Sequence, residues 1–279
     1  MSRRLVAAIA MLVLLATLAG VVAWLNLRGE EPIDGRAYNP TRGVVERGAA
    51  LALAGNCAAC HTSRGSAPYA GGRGIETPFG TVYSSNLTPD PDHGIGRWNA
   101  SEFRRALRHG RSRDGRLLYP AFPYPNMTIV SRDDADAIFA FLRTVPPVAQ
   151  PNREHALRWP YSTTAALAVW RALFFTAEAF VPEPARGDAW NRGAYLVRGL
   201  GHCNACHAGR NLLGATAGPL ELGGGLIPVQ DWYAPSLNAA HEAGVGDWSE
   251  DDIVALLRTG RSARGSALGP MAEVVFRST

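Results

Sequence analysis

Two five-residue stretches hold every cysteine of this 279-residue chain: CAACH at Cys57 to His61 and CNACH at Cys203 to His207. Their separation of 146 residues, and the similarity flanking them, mark a duplicated unit. Residues 47–61, RGAALALAGNCAACH, align with residues 193–207 within RGAYLVRGLGHCNACH once one residue of slippage is allowed. Farther on, WNASEFRRALRHGRS at 98–112 aligns with WSEDDIVALLRTGRS at 248–262 at an offset of 150, so four extra residues lie between the landmarks of the second copy. Whatever one pentad does, the chain does twice.

The later matched segments predict one short helix used twice, with Asn99 or Ser249 as N-cap and Glu102 or Asp252 as the carboxylate three positions on. Gly110 or Gly260 stops it. Phe103, Ala106 and Leu107, and likewise Ile253, Leu256 and Leu257, fall at spacings of three and four that gather them on one face. A further helix is predicted from Ser131, capped with Asp134, striped by Ile138, Phe141 and Leu142, and ended by Pro146 and Pro147. The segment from about Thr41 to Cys57 also reads as helix. Most of the remainder, including GGRGIETPFGTVYSSNLTPDPDHGIG at 71–96, is rich in Gly, Pro, Asn and Asp and predicts ordered loop. No βαβ alternation or series of β-hairpins is evident, so each unit is expected to be small and mainly helical. Loops of this length are uncommon in compact domains unless something orders them, and a large apolar cofactor would do so.

Cys-x-x-Cys-His is the attachment signature of haem c. On one helical turn Cys57 and Cys60 can reach the two vinyl groups of a protoporphyrin while His61 projects to the iron, and Cys203, Cys206 and His207 repeat the set. A redox-active Cys-x-x-Cys expects a βαβ setting and has no use for the histidine. A four-cysteine zinc site expects its pairs far closer in sequence, and a structural disulfide leaves both histidines and the loops unexplained. Two covalently bound haem c groups are therefore expected. Opposite the proximal histidine, an electron-transfer haem carries Met or a second His. Met1 starts the chain and Met11 lies in an apolar run, which leaves Met127, 66 residues after His61, and Met271, 64 residues after His207. Both are expected as iron ligands. Met271 closely follows the repeated helix, behind Gly269 and Pro270. Aligning Pro120 with Pro270 puts Ala121, next to Phe122, opposite Met271, so Met127 reaches the iron only after an insertion. An open position or a histidine such as His93 stays as the alternative.

Arg3 and Arg4 precede an uncharged apolar run, Leu5 to Leu25, long enough to span a bilayer. Ala16 to Gly20 offers only a weak small-x-small cleavage site before the run resumes, so an uncleaved anchor is expected, with a cleaved signal as the runner-up. The flanking charges put the N-terminus inside and the remaining chain outside the cytoplasmic membrane, in the periplasm. Beyond that run, 47% hydrophobic and 19% charged residues describe a globular chain. All 28 basic residues are arginine but the net charge is only +4, and no basic run or aromatic ladder points to nucleic acid. Between PPVAQP and VPEP, the segment STTAALAVWRALFFTAEAF is too short, and too interrupted by Arg171 and Glu178, to span a membrane. Trp170, Phe174 and Phe175 make it amphipathic. It is expected either on the bilayer surface or a partner subunit, or packed between the two units.

CAACHT, ETPFGTVYSSNLTPDPDHGIGRW, LYPAFPY, NRGAYLVRGLGHCNACH and GDWSEDDIVALLRTG together resemble the multihaem cytochrome c subunits of bacterial membrane-bound dehydrogenases, of which the alcohol dehydrogenase type is best known. The resemblance covers roughly residues 40 to 279. It implies an all-α fold of two tandem class I cytochrome c-like domains with long ordered loops, preceded by one N-terminal transmembrane helix. The chain then divides into an anchor at 1–30, a first domain at 40–147, a linker with an amphipathic helix at 148–189 and a second domain at 190–279. Electron transfer from a dehydrogenase catalytic subunit to quinone or a downstream carrier is implied, with no bond chemistry by the chain itself. The rival is a haem enzyme, a peroxidase or sulfur-compound oxidase using an open position on the first haem. Family members often have Met where Phe122 stands here, and the better-known ones carry a third haem domain. Thr279 falls where the first unit begins its Ser131 helix, so the second lacks a counterpart of Ile138 to Leu142, and a longer natural chain is expected.

Overall fold

The apolar run folds as one uninterrupted helix, α1 (Arg3–Leu27), started by Ser2, whose hydroxyl accepts from the Leu5 N–H at 3.3 Å. The computed structural model describes residues 1–34, 38–216, 222–239 and 244–278, and among these α1 alone is long and apolar enough to cross a membrane. The first repeated unit comprises α2 (Arg42–Ala54), α3 (Cys57–Cys60), β1 (Gly74–Thr77), β2 (Gly80–Tyr83), α4 (Ala100–His109), α5 (Tyr124–Met127) and α6 (Arg132–Leu142). β3 (Ala156–Leu157) and α7 (Thr164–Phe174) follow. The second unit runs through α8 (Asp188–Arg198), α9 (Asn204–His207), β4 (Gly225–Ile227), β5 (Trp232–Ala234), α10 (Glu250–Thr259) and α11 (Gly269–Ser278).

Leu51 of α2, Phe103 of α4 and Ile138 and Leu142 of α6 bury into one core with Met127 and Leu200, each large aliphatic or aromatic side chain contributing about 1.5–3 kcal/mol by leaving water. α2 crosses α6 so closely that a Cβ on Gly48 would lie 1.8 Å from the Ala137 carbonyl oxygen, which is why only glycine fits there. The predicted caps form, with one difference between the copies. Asn99 and Glu102 make a full reciprocal box, at 2.8 and 2.9 Å. Ser249 accepts from the Asp252 N–H at 3.1 Å, but its hydroxyl donates back to the Asp252 carboxylate at 2.7 Å. Gly110 and Gly260 end α4 and α10 in the left-handed region, at φ 54° and 76°. The stripes differ in cover. Phe103 and Ala106 are buried beneath α6, where Phe103 meets Phe139 at 5.4 Å, whereas Ile253 and Leu256 are half-buried and Leu257 is 40% exposed.

Helix dominates as the patterning predicts, but the expectation of an all-α fold misses two short antiparallel ladders. β1 pairs with β2, Ile75 opposite Val82, and β3 joins β2 with Gly80 opposite Leu157. β4 pairs with β5, Leu226 opposite Tyr233. Strands of two to four residues are too short for alternation to register, so their sequences read as loop.

The helix predicted between the units is α7, and it packs against both units and against α1. Asn26 near the end of α1 donates to the Ala168 carbonyl at 2.9 Å and accepts from Arg171 Nε at 2.9 Å. Arg171, which in sequence interrupts an apolar segment, is 2% exposed: it donates to the His109 carbonyl at 2.7 Å and stacks over Tyr124 and Phe175 at 4.9 Å each. Trp170 Nε1 donates to the Leu213 carbonyl of the second unit at 2.8 Å. The stripe Ala165, Val169, Leu173 stays exposed on the other face, beside Phe174 and the exposed Trp159. A second seam joins α6 to α8. The buried Asp134 carboxylate accepts from Arg47 at 2.5 Å, Arg192 at 3.4 Å and the Tyr195 hydroxyl at 2.7 Å. Tyr195 in turn accepts from the Ser131 N–H at 3.0 Å. Ser131 caps α6 as predicted, while the carboxylate expected to complete that pattern serves this seam instead.

Candidate functional site

Each pentad closes as a single helical turn, the histidine N–H returning to the first cysteine carbonyl at 2.9 Å in both copies. Each is entered through a non-glycine residue at positive φ, Asn56 at 51° and His202 at 38°. The orientation of the two imidazoles is the most informative contact in either unit. His61 Nδ1 lies 2.7 Å from the Ser85 carbonyl oxygen, and His207 Nδ1 lies 2.7 Å from the Pro235 carbonyl oxygen. A carbonyl only accepts, so in each ring Nδ1 carries a proton, and the neutral tautomer this selects has its lone pair on Nε2. A metal-ligating histidine is prepared in this way, its far nitrogen fixed by a backbone acceptor. Burial also holds the His61 pKa below its ordinary value, which favours the neutral ring a metal requires.

The partner loops repeat as well. The carbonyls of His61 and His207 accept from the N–H groups of Gly71 at 2.7 Å and Gly224 at 3.0 Å. Both glycines stand at positive φ, 77° and 85°, and a Cβ on them would lie 2.5 Å from the Ser85 carbonyl carbon and 2.7 Å from the Ser236 nitrogen. No side chain fits between the histidine and its acceptor strand. Ser85 lies 24 residues after His61 and Pro235 lies 28 after His207, which accounts for the four-residue surplus of the second copy. These four residues escape a sequence reading because they act through backbone atoms. Their only trace is the Gly-Gly run in each loop, which composition alone assigns to a turn.

All four cysteines are free thiols, half-buried in the two turns. Burial pushes the Cys57 pKa up to about 12 and raises those of Cys60, Cys203 and Cys206, so none is the poised thiolate of a redox-active Cys-x-x-Cys. The carbonyl of the third pentad residue is latched by arginine in both copies, Ala59 by Arg73 at 2.6 Å and Ala205 by Arg210. Among the described residues no group of three His, Cys, Asp or Glu is arranged to hold a bare metal ion. Each histidine offers one nitrogen, so iron here needs a macrocycle for its equatorial positions. Two thiols one turn apart beside that nitrogen fit such a group.

Met127 ends α5 at 4% exposure, in the same cluster against which Cys57 and Phe122 pack. Met271 is half-buried in the first turn of α11, which packs on α10 and also on α3 of the other pentad. His93 lies in the turn after Asp90, its N–H donating to Asp90 Oδ1 at 2.7 Å and its carbonyl accepting from Asn152 at 2.9 Å.

Residues 45–146 match the cytochrome c family. One of the subunits of nicotinate dehydrogenase from Pseudomonas putida is 48% identical over 234 residues, 83% of this chain and 20% of that protein. The cytochrome c subunit of the quinone alcohol dehydrogenase of Gluconacetobacter polyoxogenes is 44% identical over 244 residues, 85% of this chain and 52% of that protein. A diheme cytochrome c-type protein of Cereibacter sphaeroides is 36% identical over 283 residues, covering 99% of this chain and 92% of the relative. The chain thus spans about half of the alcohol dehydrogenase subunit and nearly all of the diheme protein.

Proposed function

Since the chain belongs to the multihaem cytochrome c subunits of bacterial membrane-bound dehydrogenases, we propose that it is a membrane-anchored dihaem electron carrier between a dehydrogenase catalytic subunit and quinone or another respiratory carrier. The observation that carries the proposal is the pair of pre-set imidazoles, His61 and His207, each with Nδ1 tied 2.7 Å from a backbone carbonyl and two free thiols on the preceding turn. Residues 40–147 and 190–279 are the two haem domains, and 148–189 joins them. Cys57 and Cys60, and Cys203 and Cys206, would hold the porphyrins by thioether bonds; His61 and His207 would offer Nε2 to the irons, and Met127 and Met271 would be their second protein ligands. When bound, each haem supplies a one-electron ferric–ferrous couple. Methionine ligation would favour the ferrous state, and the apolar wall around Met127 would keep water and small oxidants from the first site. α1 lies in the cytoplasmic membrane with the haem domains on the periplasmic side. Because α7 is fastened to the end of α1, its exposed stripe of Val169 and Leu173 rests on the same bilayer surface. That proteins named as subunits of a nicotinate and of an alcohol dehydrogenase both resemble this chain supports a role tied to the electrons rather than to any one substrate.

Carbon monoxide separates this reading from a haem enzyme with an open first site. A carrier with two six-coordinate irons leaves the reduced spectrum unchanged when the gas is added. Rapid binding together with a high-spin ferric band refutes the carrier role of the first domain.

A further inference from the structure

The segments bearing the two candidate distal ligands are each fastened across the boundary between the units. Asn126, next to Met127, is buried, and its Nδ2 donates to the Arg198 carbonyl at 2.8 Å and to Asn204 Oδ1 at 2.5 Å. Asn204, 2% exposed, is the second residue of the CNACH turn. At the other end Glu273, one half-turn beyond Met271 on α11, accepts from both terminal nitrogens of Arg73, at 2.5 and 3.0 Å. The same Arg73 nitrogen latches the Ala59 carbonyl of the CAACH turn at 2.6 Å. The matching latch of the second turn, Arg210, instead places its other nitrogen on the nearby Gly214 carbonyl at 2.8 Å. The second unit also reaches the first turn directly, since α11 packs on α3.

We propose that Asn126 and the Arg73–Glu273 pair are positioning residues that lock the two haem sites together, each fastening the segment of one candidate distal methionine to the attachment turn of the other site. The inference rests on the dihaem reading above. The two ties run in opposite directions across the boundary, so neither turn can shift without the other's distal segment. They fix the separation over which one electron passes from the ferrous iron of one site, oxidised in the step, to the ferric iron of the other, reduced in it; no proton needs to move. They also place a guanidinium beside the first turn, balanced by a carboxylate from the second unit. A positive charge near a haem favours its reduced state.

The test is a potentiometric titration of the full-length, haem-loaded protein. Its two haems are assigned by Met127→His and Met271→His, each of which lowers one potential. Glu273→Gln raises the potential of the His61 haem, although Glu273 belongs to the other unit. Arg73→Gln lowers it, and the double variant Arg73→Gln/Glu273→Gln returns it close to the starting value, which a fold defect would not do. Asn126→Ala shifts the His207 haem as well as its own. The proposal is overturned if Glu273→Gln moves the His207 haem alone, if Asn126→Ala moves the His61 haem alone, or if neither variant moves either. A wild-type protein with a single haem by pyridine haemochrome overturns the dihaem reading instead.

Discussion

At each pentad histidine the atom that the fold fixes is Nδ1, held by a backbone carbonyl. Tying it to a carbonyl costs the chain a glycine at positive φ and a strand end held in register, and it returns a ring with one free lone pair aimed one way. The pentads were legible in the sequence because they are side-chain chemistry at fixed spacing. Ser85 and Pro235 were not, since a backbone acceptor leaves no residue type to recognise. Asp134 teaches the same lesson differently: as the third residue after Ser131 it reads as a cap, but its carboxylate is committed to Arg47, Arg192 and Tyr195. Asp134→Ala is expected to cost about 2–3 kcal/mol, because Tyr195 loses a buried acceptor while both arginines can turn to water. Urea unfolding measures it, and a loss below about 0.5 kcal/mol, the range of an ordinary surface change, contradicts the seam.

Among the elements, α4 carries Arg104, Arg105 and Arg108, with Arg111 just beyond its glycine stop. In the structure the segment leaving α1 neutralises them. Glu30 meets Arg105 at 3.5 Å and Arg111 at 3.1 Å, and Glu31 pairs with Arg104 and with Arg108 at 3.8 Å. The Arg104 hydrogen bond holds the Glu31 carboxyl below its ordinary range. Contacts spanning some 75 residues of chain have no local signature, which is why they were missed. Arg171 is the other long-range element, joining α7 to Asn26 of α1 and to the end of α4. Arg171→Met leaves the Asn26 and His109 acceptors unpaired, with an expected loss of about 2–4 kcal/mol. Limited proteolysis reads it as earlier cleavage around α7. Next to it, burial and then the Arg108 charge hold His109 down to about 4, against an ordinary 6.5. The folded form thus refuses a proton that the unfolded chain accepts. Stability is full above pH 6.5 and declines as the pH falls towards 4. His109→Gln flattens the thermal midpoint across that window; an unchanged slope sinks the assignment.

Across the whole molecule the sequence showed its plan through duplication: two pentads, two capped helices and two glycine stops recur in order, and the structure repeats the Gly71–His61–Ser85 frame as Gly224–His207–Pro235. What duplication hid is how the copies join: Asn126, Glu273 and Asp134 reach across to the other unit, and Arg73 does so where its counterpart Arg210 turns back to Gly214 of its own unit. Their contacts tie the two repeated units together, with Leu200 of the second buried in the same core as Leu51 and Ile138 of the first. The central claim is that both frames are built for covalent haem. Pyridine haemochrome analysis of the purified full-length chain, together with its intact mass, tests that most directly. Two haems per chain, falling to one in Cys203→Ala/Cys206→Ala, is the predicted result; one haem or none in the unaltered chain would contradict the account.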